Sequence, residues 1–375
     1  MRQMIAILGM AALALAAGPL AAQTPAPATT TSSMPIGVVG LSHDHVNWLF
    51  GDLKRGDVRI VGIVEPDHAL AKQYADRYGL SPDLFYDDLA AMLDKTHPVA
   101  VAGFGAIADH ITIVRAAAPR GIHVMVEKPL ALNAAEAREI ISLATKNHVE
   151  VLTNYETTWY PTAARAADLI QSGSIGPVHK LVFHDGHQGP VKIGVSPSFL
   201  AWLTDPARNG GGAIIDFGCY GANQMTWLTH GERPVSVTAV TRHFQPDAYP
   251  NVDDDATVLV DYPDAQGIIQ ASWDWPVSRK DMEIYGTTGQ IIADDKHSLR
   301  VWQATPDSVQ ATTLADRAAP YDDPFAYFRA VVEGQVVPAA YDPSTLANNL
   351  LVMEILDAAR ESARTGKTVQ LPPAP

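Results

Sequence analysis

A short apolar run, Ile36 to Gly40, opens into Leu41, Ser42, His43, Asp44 and His45 before an apolar-periodic stretch begins at Val46. An apolar strand that ends in glycine and leads into a helix is how a dinucleotide-binding βαβ unit presents its phosphate loop. The glycine makes the tight turn, and the helix N-terminus offers unpaired N–H groups to an anion. Gly40 keeps that turn, while Ser42 and His45 stand where the GxGxxG pattern has its second and third glycines. Serine takes backbone room beside a pyrophosphate, so binding is weakened in principle and not abolished. Glu65 follows the next apolar run about 25 residues later, where a carboxylate hydrogen-bonds the adenosine ribose and disfavours a 2′-phosphate. NAD is therefore expected in preference to NADP. The imidazoles raise a second chemistry, metal ligation. His43 and His45 are two apart, which on a helix places them on different faces, and adding His184 and His187 gives no spacing of a closed zinc site. The expectation is polar or ligand-contacting histidines and no metal.

The rest of the chain must supply a scaffold for these residues. Its 375 residues, 47% of them apolar, suffice for two domains with their own cores. With 27 basic and 41 acidic residues the net charge is -14, which repels phosphate backbones and anionic membrane surfaces. Nucleic acid is thereby excluded as an expected partner. The single cysteine, Cys219, rules out an intramolecular disulfide and reads as a small buried apolar residue.

At the N-terminus Arg2 precedes an apolar run from Met4 to Ala17 and a small-residue cleavage pattern, Leu20-Ala21-Ala22, so residues 1–22 read as a cleaved secretory signal. Residues 23–34, rich in Thr, Pro, Ala and Ser, read as a disordered tether. The mature protein is then expected in the periplasm or outside the cell, with no membrane association beyond export.

From Pro35 to Tyr155 continuous apolar strands alternate with amphipathic helices, among them Val46–Leu53, His68–Tyr78 and Asn133–Asn147. This is the signature of a parallel sheet covered on both faces, whose ligands lie at the carboxyl ends of the strands. Residues 156–375 change character: longer alternating strands from Val178 onward indicate an open, mostly antiparallel sheet, closed by a helix from Ser344 to Arg364. The fold class is α/β, a Rossmann domain over 35–155 followed by a substrate and oligomerisation domain over 156–375.

Four stretches then line up at the strand ends and beyond: Glu127-Lys128-Pro129, the Gly210 to Tyr220 segment, Glu283 to Ile291, and Ile355 to Leu371. In this order they resemble the Gfo/Idh/MocA oxidoreductases over essentially the whole chain after the tether. The resemblance implies a nicotinamide cofactor between the two domains and a catalytic set of Lys128, Asp216 and Tyr220. The family pattern has histidine at the last of these positions; tyrosine there is similar to the glucose-fructose oxidoreductase and dihydrodiol dehydrogenase branch.

Exchanging a hydride with a carbinol requires a group to carry the hydroxyl proton and a donor to stabilise charge on oxygen. Lys128 is placed for the oxygen, with Glu127 or Asp216 to govern its charge. Tyr220, one helical turn after Asp216, would need a nearby lysine to favour its ionised form.

Gly40, Ser42, His43, His45, Glu65, Glu127 and Lys128 are the expected cofactor contacts, with Trp159 and His187 the candidates for substrate. Trp202, Trp273 and Trp275 could stack on sugar rings or fill the core. Outside the cytoplasm no nicotinamide pool exists, so an exported enzyme is expected to hold its cofactor tightly. Three activities remain open: hydride transfer on a sugar, cyclitol or related compound; glycoside cleavage by transient oxidation and elimination; and cofactor-less sugar binding. A homodimer or higher oligomer is expected through the sheet of the second domain.

Overall fold

The computed structural model describes residues 33–305 and 307–373. The expected signal peptide and nearly all of the tether lie outside the described residues. Met34, counted with the tether from its composition, is already in the first strand and is buried, because its side chain packs into the apolar core beneath the parallel sheet.

The first six strands are β1 (Met34–Val39), β2 (Val58–Val64), β3 (Phe85–Tyr86), β4 (Ala100–Gly103), β5 (His123–Glu127) and β6 (Val151–Asn154). They form one parallel sheet in the order β3-β2-β1-β4-β5-β6. Their near-continuous burial follows from helices on both faces. Local sequence sets the helix ends. Asp67 accepts from the N–H groups of Ala69 and Leu70 to start His68–Tyr78, and Gly79 ends it in the left-handed region. Asn133 likewise caps Ala134–Asn147.

The chain leaves β1 for β2 and β3 on one side and crosses to β4 on the other. This switch of direction opens a crevice beyond the carboxyl ends of β1 and β4.

A second sheet comprises β7 (Val178–Gly186), β8 (Ser236–Arg242), β9 (Asp255–Asp261), β10 (Gln266–Ser272), β11 (Arg279–Gly286), β12 (Gly289–Ala293), β13 (Ser298–Ala304), β14 (Asp307–Thr313) and β15 (Val369–Gln370). Its order is β14-β13-β12-β11-β7-β10-β9-β8-β15. Every pair is antiparallel except β7 with β10. One face carries Leu181, Phe183, Ile269, Ile284 and Ile291 into the core, where the helix Gly218–Leu228 packs so closely that a Cβ on Gly221 would lie 2.8 Å from Ile269. The opposite face remains open. Across it Leu259, Ile268, Val182, Glu283 and Ile292 stand in one register row, each half-buried. Among the described residues no helix is long and apolar enough to cross a membrane.

Candidate active site

Two elements converge on Lys128. It follows directly after β5, whose apolar run buries it against the second domain. The helix Ala213–Asp216 arrives from that domain, and its start is built by Asp253, whose carboxylate accepts from the N–H groups of Gly212 (2.9 Å) and Ile214 (2.7 Å). A Cβ on Gly212 would sit 1.7 Å from the Asp253 carbonyl oxygen, so only glycine allows the approach. Asp216 at the helix end receives the Lys128 ammonium on Oδ1 and the Trp273 indole N–H on Oδ2, the latter at 3.0 Å. Lys128 also donates to the Asp216 carbonyl at 3.0 Å. Burial works against the Lys128 ammonium, but Asp216, with smaller help from its surroundings including Glu127, offsets it and the pKa is raised; the Asp216 carboxyl is correspondingly held down. The pair is a buried ion pair. Glu127, the other candidate partner for Lys128, faces away toward His45.

Tyr220 shares no continuous helix with Asp216. Phe217 breaks the segment with φ -106°, and a second helix, Gly218–Leu228, carries Tyr220. Both residues still line one cleft of about 980 Å³, together with Lys128, His187, Glu156 and Lys280. The ring of Tyr220 lies under two ammonium groups, Lys128 at 5.2 Å and Lys280 at 4.6 Å. The expectation of an ionised phenol is corrected here. Burial raises the Tyr220 pKa well above its ordinary value, and Glu156 adds to that. The phenol is therefore neutral. His187 lines the same cleft; burial lowers its pKa, and its Nδ1 accepts the Gly189 N–H at 2.9 Å, which leaves the ring proton on Nε2.

Lys280, Glu156 and Asp185 were not singled out from the sequence. Lys280 pairs with Glu156, whose other oxygen accepts from Tyr160 at 2.6 Å. A signal existed for two of the three. Lys280 falls in the inward register of β11 with Met282 and Ile284, and Asp185 in that of β7 with Leu181 and Phe183. A charged residue in an apolar register is a marker of function or of pairing. Glu156 carried no such signal.

Trp159 is corrected as a substrate contact: it is buried, donates to Asn154 at 3.0 Å and packs edge-on against Tyr327. Trp202 is buried against the His43 ring, Trp273 serves Asp216, and Trp275 lies near Arg279 and His184. Cys219 is buried, as expected.

The phosphate loop retains the elements of a dinucleotide cradle. Gly40 has φ +80° and passes so close to the next crossover that a Cβ would lie 2.9 Å from the Gly105 nitrogen. Several N–H groups of the loop are engaged internally: Leu41 on Glu65 (2.9 Å), His43 on the Phe104 carbonyl (2.8 Å) and His45 on His43 Nδ1 (3.1 Å). Those of Ser42 and Asp44 have no partner among the described residues and are left for an anion. Asp44 turns its carboxylate away to the Ser196 N–H at 3.0 Å. Glu65 directly follows β2, at the position expected to meet the adenosine ribose. Each of its oxygens accepts one backbone N–H, from Leu41 and Asp67, and keeps a lone pair for a hydroxyl. The residues fit a nicotinamide dinucleotide, with fewer N–H donors than a full glycine loop provides.

Residues 34–155 match the profile of the oxidoreductase family with an NAD-binding Rossmann fold, and residues 163–292 that of the GFO/IDH/MocA C-terminal domain. The chain belongs to the Gfo/Idh/MocA oxidoreductases. Among relatives of the family, trans-1,2-dihydrobenzene-1,2-diol dehydrogenase of Xenopus laevis is 28% identical over 63% of this chain and 67% of its own length. D-xylose 1-dehydrogenase (NADP(+)) 2 of Haloferax volcanii is 26% identical over 90% of this chain and 100% of its own. The fold is shared with aldose-aldose oxidoreductase from Caulobacter crescentus complexed with glycerol, at TM-score 0.77 and 21% identity over 90% of this chain and 100% of that one. It is shared too with an inositol dehydrogenase homolog complexed with NAD+ from Azotobacter vinelandii, at TM-score 0.78 and 18% identity over 91% and 98%.

Proposed function

We infer that this Gfo/Idh/MocA enzyme transfers hydride between NAD and a hydroxyl or keto carbon of a neutral sugar, cyclitol or related polyol. The observation that carries this reading is the Lys128 ammonium, fixed by Asp216 on the wall of the cleft beside Tyr220. The other charged lining residues come in both signs, Asp44, Glu156, Asp281, Asp294 and Asp295 against Arg279, Lys280 and Lys296, with Asp294 paired to Arg300 outside the cleft. Such a lining suits hydroxyl groups better than a net charge.

A nicotinamide cofactor, when bound, supplies the hydride exchange. The chain's own residues handle oxygen and proton. Lys128 points a charged donor at the substrate oxygen, and Tyr220 carries the proton that the oxygen takes or gives up. At neutral pH both groups hold their protons, so the site as folded is set for the ketone-reducing direction. Oxidation must begin with one proton removed. A screen of aldopyranoses and cyclitols, read by nicotinamide absorbance in both directions, tests this. Oxidation should accelerate steadily with alkaline pH while reduction stays level; matching pH profiles in the two directions contradict the roles given to Lys128 and Tyr220.

Asp67, and Asp109 with its Arg208 partner, lie near enough to Glu65 to add to its acidic field, and a 2′-phosphate beside Glu65 would be repelled, which supports NAD over NADP. The dehydrogenase names of the relatives favour simple oxidation and reduction over elimination across a glycosidic bond. Export through residues 1–22, and with it tight retention of the nucleotide, belongs to the same proposal. Released nucleotide in the supernatant of denatured protein, prepared from its native compartment, is the check. The half-buried, largely apolar row on the open sheet face, interrupted by Glu283, supports a homodimer, which light scattering at micromolar concentration tests.

A further inference from the structure

His43 and His45 precede the helix Val46–Asp52 in a turn, so the helical argument that separated them does not apply. Their ring centroids are 4.4 Å apart, and both rings face Glu127 at the end of β5. His45 Nδ1 is 2.9 Å from Glu127 Oε2, and His43 Nε2 is 4.0 Å from the same oxygen. One donor atom from each of the three residues falls within a 4.8 Å cluster.

The cluster is braced from behind. Asn154 donates to the other Glu127 oxygen at 2.8 Å and is itself fixed by the Trp159 indole. His45 stacks on Trp48 at 3.8 Å, and His43 packs against Phe199 and Trp202. A hydrogen bond between His45 and Glu127 accounts for two of the three residues. It leaves the Nε2 of His43 unexplained: the ring is 1% exposed, and this nitrogen is aimed at Glu127 from a distance too long for a hydrogen bond.

We propose that His43, His45 and Glu127 bind one first-row divalent transition ion, with Zn²⁺ the best suited, as a two-histidine, one-carboxylate site beside the cleft. Two imidazoles select such ions over Mg²⁺ and Ca²⁺, which take oxygen ligands. Three protein ligands leave a further position for water or a substrate oxygen. His43 and His45 both line the cleft, so that position has access to it. The Asn154 and Trp159 chain supplies the outer contacts that hold a ligating carboxylate in place. Because Lys128 is neutralised by Asp216, the charge of Glu127 remains for the ion.

Loading asks for a few local changes. An imidazole that ligates through Nε2 carries its proton on Nδ1, so His43 must release the His45 N–H that it accepts at 3.1 Å. One backbone hydrogen bond is small beside a metal–ligand bond. The 4.0 Å gap between His43 and Glu127 must also close to roughly 3.4 Å, the separation of two ligands at about 2.1 Å in tetrahedral geometry, and the 2.9 Å His45–Glu127 hydrogen bond must give up its proton and open to the same separation.

The test uses the full mature chain without an affinity tag, stripped with chelator and titrated with Zn²⁺ by calorimetry in the absence of nucleotide. One equivalent should bind per chain, unaffected by excess Mg²⁺. His43→Gln, His45→Gln and Glu127→Gln should each weaken binding by about 100-fold or more, and Asn154→Ala by roughly 10- to 100-fold. The exposed His68→Gln should change nothing. Circular dichroism verifies folding; if loss of the buried Glu127 charge prevents it, the partly exposed His45→Gln carries the test. Absence of Zn²⁺ uptake by the parent, or undiminished uptake by folded His45→Gln, overturns the proposal. The readout is metal stoichiometry, so it stands apart from whether the sugar-oxidoreductase reading holds.

Discussion

Asp216→Asn isolates what the carboxylate does, because the amide has nearly the same shape and differs in charge and in donors. Both partners of Asp216 are donors: the Lys128 ammonium on Oδ1 and the Trp273 N–H on Oδ2. A carboxylate accepts both. An amide has one acceptor oxygen, so whichever way it is turned its NH₂ group faces a donor. With the oxygen toward Trp273, the lysine loses its paired counter-charge in a buried site, and burial then drives its pKa below the ordinary lysine value. Breaking a buried pair from one side costs about 3–5 kcal/mol, and a lysine that sheds its proton recovers part of this, so a loss of roughly 2–4 kcal/mol in urea unfolding is expected.

Activity should show the same change. The parent keeps Lys128 charged through the neutral and mildly alkaline range, whereas the variant should acquire a falling limb in the ketone-reduction rate within that range. Turnover should drop by about 10² to 10⁴. Adding Lys128→Met to Asp216→Asn removes the stranded charge, so the double variant should be more stable than the sum of the two single losses allows. Additive losses, or an Asp216→Asn enzyme with the parent's stability and pH profile, would show that the pair neither stores that energy nor sets the charge of Lys128.

Tyr220→Phe should keep fold and nucleotide binding while lowering turnover by about 10² to 10⁴, and near-normal turnover would move proton transfer to His187. Gly40→Ala should destabilise the protein by roughly 2–4 kcal/mol in denaturant unfolding and abolish nucleotide binding, because the new methyl group meets backbone atoms that cannot turn aside. His110 is buried, and that burial depresses its pKa. Below about pH 6.5 the unfolded chain binds a proton there that the native state refuses, so stability should fall with falling pH, by up to about 1.4 kcal/mol per pH unit for this one group. His110→Phe should flatten the urea-midpoint profile in that range; an unchanged slope places the proton uptake elsewhere.

Much of this protein could be read along the chain, because period and punctuation are local properties. The alternation of apolar runs with amphipathic helices determined the parallel domain, and the helices read from His68 to Tyr78 and from Asn133 to Asn147 fall within a residue of where they occur. Lys128, Asp216 and Tyr220 were placed by their motifs, and Gly40 by the turn it has to make. What the sequence left open depended on separations through space. Whether Lys128 paired with Glu127 or Asp216 was decided by the docking of the second domain, which presents Asp216 from one side while β6 and the turn after β1 draw Glu127 to the other. The protonation of Tyr220 followed from burial, which outweighs two nearby ammonium groups and reverses the shift expected from charge alone. Trp159 looked like a sugar platform and became a brace for Asn154, since an aromatic residue's type does not reveal which wall it faces. The two histidines were separated by assuming helical geometry; the turn that carries them, and a glutamate 82 residues further on, brought them together. A one-dimensional spacing rule fails there because the third member of the cluster arrives on another strand.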